Sequence, residues 1–109
     1  MKLAFVFPGQ GSQSVGMMAG FENNAAVQKV FASAELALGQ NLWDLVAQGP
    51  DTELARTVNT QPIMLTADVA IYEAYRAAGG KHPEWVAGHS LGEYAALVAA
   101  GVMSFADAV

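Results

Sequence analysis

The sequence predicts an α/β fold in which a parallel sheet is flanked by helices. Three observations predict it. Leu3 to Phe7 is a continuous apolar run with two Phe and a Val, which suits a strand covered on both faces of a parallel sheet. Glu84 to Gly88 reads as a second short strand. Each run ends in a glycine-bearing turn, and the stretches between and after them have helical spacing with glycine stops.

Taken in order, the first strand runs into a Gly-rich loop, Pro8 to Gly16. Val27, Val30, Phe31 and Ala34 then fall on one helical face, and Gly39 is a stop. Asn41 can cap a short helix, Leu42 to Gln48, with Asp44 in its first turn and Gly49 at its end. Thr60 to Ala78 is helical and apolar nearly all round (Ile63, Leu65, Ala67, Val69, Ala70, Ile71 and Ala74), so it belongs in the centre of the fold. Gly79-Gly80 ends it. After the second strand, Leu91 to Ala100 is a helix with Leu91, Ala95 and Val98 on one face. Ser104-Phe105-Ala106-Asp107 has the capping-box form, an alcohol followed three residues later by an acid, and announces a further helix.

Composition narrows the function. The chain has 109 residues, enough for one domain. Charged residues make up 14% against an average of about 25%, so part of the surface is expected to be covered by something else. The net charge is −5 with five Lys and Arg, which excludes a basic stripe for nucleic acid. There is no Cys, hence no disulfide scaffold, thiolate zinc site or cysteine nucleophile, and a cytoplasmic setting suits the chain. Neither the start nor the run Ala95 to Met103 is long enough for a secretion signal or a membrane span. Two strands are few for such a sheet, and the final capping box stands two residues before Val109. The expectation is the N-terminal piece, residues 1–109, of a larger α/β domain.

The strongest chemical signal is Gly88-His89-Ser90-Leu91-Gly92, a G-x-S-x-G pattern between a strand and a helix. A sharp strand-to-helix turn presents the Ser90 hydroxyl, and Gly88 and Gly92 relieve its crowding because they lack Cβ. The backbone N–H of Leu91, at the positive end of a helix, is a candidate oxyanion donor. The second signal is Gly9-Gln10-Gly11-Ser12-Gln13 after the first strand. In a parallel sheet it lies on the same edge as Ser90 and can supply a second N–H donor. It is not a dinucleotide fingerprint, because Ser14 stands where the third Gly is needed, and no Gly-Lys-Ser/Thr follows for a P-loop.

Ser90 lacks an obvious base. His89 is its immediate neighbour, and successive side chains diverge at such a turn. His82 lies at the far end of the second strand, roughly 25 Å of extended chain away. Glu93 reads as a solvent-facing helix-start carboxylate, and Arg56 and Arg76 as helix-surface cations. Gln61, before Pro62 at a helix start, is either a cap-region residue or a residue facing the site.

Taken together, Phe5 to Gln13, Gln61-Pro62 and Gly88 to Glu93 resemble, in order and spacing, the malonyl-CoA:acyl-carrier-protein transacylase family. The resemblance covers nearly all of this chain and about the first third of a whole family member. It implies a hydrolase-like core with a parallel sheet and flanking helices, incomplete here, whose ferredoxin-like subdomain lies mostly outside the chain. It implies ping-pong transfer of a malonyl group from malonyl-CoA to the phosphopantetheine thiol of acyl carrier protein, in cytoplasmic fatty-acid synthesis. Ser90 would be the nucleophile, the N–H groups of Gln10 and Leu91 the oxyanion hole, and Gln61 a residue of the cleft. Leu91 resembles malonyl-using members. No metal and no cofactor are implied, malonyl-CoA being substrate. The family's catalytic His and its carboxylate-binding Arg have no counterpart in the 109 residues, and a basic surface for acyl carrier protein would lie elsewhere. Three other readings stay open: a serine esterase piece, an acyltransferase domain of a polyketide synthase, and a non-catalytic truncated chain.

Overall fold

A parallel β-α-β unit carries the two motif loops side by side. The structure, a computed structural model, describes residues 3–9, 11, 13–81, 83, 85–88, 91–101 and 103–109. Strand β1 is Ala4–Phe7 and β2 is Trp85–Gly88. Between them come helices α1 (Ala25–Leu38), α2 (Leu42–Gln48), α3 (Asp51–Leu54) and α4 (Thr57–Ala77). After β2 come α5 (Gly92–Ala99) and α6 (Phe105–Ala108). The strands pair in parallel, with Ala4 opposite Trp85 and Phe7 opposite Gly88. Their carboxyl ends therefore coincide.

Local chemistry sets the ends of α1 and α2. The Asn24 side chain accepts the Val27 N–H at 3.1 Å and starts α1, while Gly39, at φ 71°, closes it in the left-handed conformation that glycine adopts freely. The expected face of α1, Val27, Val30, Phe31 and Ala34, is buried. Asn41 caps α2 as expected, accepting the Asp44 N–H at 3.1 Å. The short α3 escapes a periodicity reading, since four residues make one turn.

The central helix begins at Thr57, three residues before its expected start, with Pro62 inside it. Buried side chains hold that extra turn. The Asn59 amide donates to the Glu53 carbonyl at 2.9 Å, and the Thr60 hydroxyl bonds the carbonyls of Leu54 and Arg56. These tertiary bonds outweigh the one backbone bond that Pro62 cannot make. Beyond Pro62, Ile63 to Ala70 are all buried. Each large apolar member of that run contributes about 1.5–3 kcal/mol by leaving water.

Within residues 1–109 the sheet is covered on one face. Phe5 and Phe7 pack on α4, with Phe5 4.7 Å from Tyr75 and Phe7 6.1 Å from Tyr72 between ring centroids. The opposite face is open: Val6 is 73% and Trp85 55% exposed. Within these residues the apolar run is therefore covered on one face, because among the described residues no element packs over Val6. On the other side of α4, α1 completes the core, and Phe31 meets Trp43 edge-on at 5.1 Å. The capping box at Ser104 holds the one-turn α6, its hydroxyl accepting the Asp107 N–H at 3.3 Å.

Candidate active site

The end of β2 and the start of α5 are pressed against the end of β1. A Cβ on Gly88 would lie 2.0 Å from the Gly92 backbone, and one on Gly92 would lie 2.1 Å from the Phe7 carbonyl oxygen. Real Cβ contacts do not come this close, so only glycine fits at either position. The G-x-S-x-G glycines thus do what the sequence demanded of them. They let the chain turn from strand to helix while crossing the neighbouring strand's end. Ser90 and His89, between these flanks, lie outside the described residues, as do Gln10, Ser12 and His82.

Leu91 is the N-cap residue of α5, half-buried, with φ −56° and ψ −31°. Its N–H stands at the positive end of that helix, where negative charge is stabilised. The described part of the first-strand loop follows β1 on the same sheet edge. Gly11, at φ 110°, donates its N–H to the Gln13 side chain at 2.7 Å, and Gly16 ties the loop to α2 by donating to the Val46 carbonyl at 2.7 Å. The expected juxtaposition of the two motif loops is therefore carried by the strand register.

Gln61, from the first turns of α4, and Leu91 line one cavity of about 270 Å³ together with Pro62, Leu65, Tyr94, Ala108 and Val109. Two residues singled out in separate segments of the sequence thus meet at one opening. Tyr94 was not singled out, although it stands three residues after Leu91, on the same helix face. A larger groove of about 670 Å³ lies towards the other end of α4, between Lys29, Val69, Arg76, Val98 and Phe105, away from both motif loops.

The remaining candidates are peripheral. Glu93 is exposed, as expected. Arg56 pairs with Glu53 at 3.1 Å on the surface, and Arg76 donates to the Gly80 carbonyl at 2.8 Å. The sequence reading also passed over Asp68, the acid within the apolar stretch of α4. It is 6% exposed, and its Oδ2 is buried with no hydrogen-bond partner among the described residues. Burial pushes its carboxyl from 3.8 up to about 7. Among the described residues no cluster of His, Asp or Glu could hold a metal ion, and no helix is long and apolar enough to cross a membrane.

Comparison with known proteins agrees with this geometry. A model described as the acyl transferase domain matches residues 4–109. The curated malonyl CoA-acyl carrier protein transacylase of Salmonella typhimurium is 58% identical over 109 residues, 99% of this chain and 35% of that protein. The solved acyl-carrier-protein S-malonyltransferase of Burkholderia pseudomallei 1710b is 59% identical, with a TM-score of 0.97 over 99% of this chain and 35% of its own. A second structure, a type II PKS acyl-carrier protein in complex with its malonyl-transacylase, gives 51% identity and a TM-score of 0.94 over 99% and 35%. The chain spans about 35% of the length of these relatives.

Proposed function

The chain belongs to the acyl transferase domain family, and from that premise we propose that it carries the nucleophile side of a malonyl-CoA:acyl-carrier-protein transacylase site. Residues 1–109 are then the N-terminal part of the acyltransferase α/β domain, and the ferredoxin-like subdomain lies outside them. Ser90 attacks the thioester carbonyl of malonyl-CoA, its hydroxyl proton passing to a base, and the coenzyme thiol leaves. The phosphopantetheine thiol of acyl carrier protein then attacks the malonyl-serine ester, and Ser90 is restored with its proton. The backbone N–H groups of Gln10 and Leu91 stabilise the oxyanion at each step, a contribution of about 10²–10³ in rate per donor. Gln61 lies beside the acyl group. The His that serves as base and the Arg that pairs with the malonate carboxylate come from sequence outside these residues. The reaction needs no cofactor and belongs to cytoplasmic fatty-acid biosynthesis.

The observation that supports this reading best is the contact of Gly88 on Gly92 and of Gly92 on Phe7. A turn so tight serves to present the residue at its apex to the sheet's carboxyl edge. The relatives that this chain matches are named for the same transfer. The test is a chimera in which residues 1–109 replace the matching 35% of the Salmonella relative. Intact mass spectrometry after mixing with malonyl-CoA should show one malonyl adduct, and the chimera should malonylate acyl carrier protein. Ser90→Ala should lose both. Undiminished transfer by Ser90→Ala would overturn the assignment.

A further inference from the structure

We propose that Tyr94 is a specificity-determining residue that limits the length of the acyl group, a role that rests on the transacylase reading above. The cavity shared by Gln61 and Leu91 measures about 270 Å³, which is below the roughly 300–1,000 Å³ of sites for drug-sized ligands. It suits a short acyl chain. Its lining combines Gln61 from α4, Leu91 at the head of α5 and the Tyr94 ring one helical turn further on. Leu65, 1% exposed, is fixed in the core, and Pro62 is part of the α4 backbone turn, so the α4 side is firm, while Ala108 and Val109 complete the lining with small side chains. Tyr94 is 48% exposed and is the largest side chain in the lining. Its ring is therefore the group in this lining with the most bulk to set against an acyl chain that enters beside Leu91.

Leu91 and Tyr94 are joined rigidly. The Tyr94 N–H donates to the Leu91 carbonyl at 3.0 Å, closing the first turn of α5. The Tyr94 backbone is thus held one turn along the helix from the proposed oxyanion donor. Among the described residues no Lys or Arg lines this cavity, so what these residues contribute to discrimination is shape. A pocket wall that meets or excludes one methylene is worth about 10–200-fold in selectivity.

The experiment uses the chimera with the Salmonella relative and compares malonyl-CoA with succinyl-CoA, which keeps the terminal carboxylate and adds one methylene. The readout is the ratio of kcat/KM for the two thioesters. Tyr94→Ala should raise the succinyl share at least about tenfold. Tyr94→Leu, which keeps helix propensity and much of the bulk, should raise it less. Tyr94→Phe, which keeps the ring, should hold the ratio near the parent's. Equal losses for both thioesters in Tyr94→Ala and Tyr94→Leu would show a merely structural role and overturn the inference. A folded chimera that transfers no malonyl group refutes the transacylase reading, and this inference with it. A chimera that transfers malonyl with an unmoved ratio refutes this inference alone.

Discussion

Replacing Asp68 with Asn should make the protein more stable, and the gain should grow as pH rises. Asp68 is buried in α4 without an ion-pair partner among the described residues, and desolvation is what moves its carboxyl from 3.8 to about 7. In the unfolded chain the group ionises near its ordinary value, whereas in the fold it holds its proton until about pH 7. Below about pH 4 both states are protonated and the group costs nothing. Between about pH 4 and 7 the unfolded state loses its proton first and gains free energy, so the fold is progressively destabilised. Above about pH 7 the cost levels off. At 1.36 kcal/mol per pH unit, the displacement from 3.8 to about 7 corresponds to about 4 kcal/mol. Relaxation and water entry lower such penalties, leaving about 2 kcal/mol. With a urea slope of about 1–3 kcal/mol/M, Asp68→Asn should move the unfolding midpoint upward by about 1 M at pH 8 and hardly at all at pH 4. Circular dichroism of urea unfolding from pH 4 to 8 measures the difference between the two proteins, which cancels the other carboxylates. A difference that stays constant over this range, or falls as pH rises, would refute the reasoning.

Two other substitutions probe the frame of the site. Gly92→Ala places a methyl 2.1 Å from the Phe7 carbonyl oxygen, where backbone faces it and cannot rotate away. It should cost about 3 kcal/mol or more and abolish acylation in the chimera, as read by thermal unfolding and intact mass. Asn24→Ala removes the side chain that accepts the Val27 N–H, far from the turn. It should cost about 1 kcal/mol in urea unfolding and leave acylation of the chimera intact.

The parts of the fold legible in the sequence are those decided within a few residues. A glycine after the last apolar position of α1 and an Asn before α2 act on neighbouring backbone groups, so their effects can be read locally. The start of α4 could not be read this way. Gln61-Pro62 looks like a helix start because Pro is favoured in a first turn. The true start depends on Asn59 and Thr60 bonding to carbonyls of α3, a contact visible only once the chain has folded back. Coverage of β1 is a nonlocal property too. Val6 is as apolar as Phe7, yet only the side that meets Tyr72 and Tyr75 is covered.

The site divides along the same line. The demand for two glycines around Ser90 is a steric rule of a single turn, so five letters disclose it, and the structure supplies the atoms that enforce it at Gly92 and Phe7. The cavity is made by α4 and α5 together, and no spacing relates Gln61 to Leu91 or Tyr94. Gln61 came forward through its place before Pro62, and resemblance set it in the cleft, whereas Tyr94 lay concealed as the aromatic of a short, mostly apolar helix. Asp68 shows the reverse case, because an acid in the middle of a buried helical stretch is a local conflict that can be seen without coordinates. Only the structure shows that its Oδ2 is left without a hydrogen-bond partner among the described residues. Fold-level consistency thus marks both the turn whose flanks admit only glycine and the carboxyl that is buried at a cost.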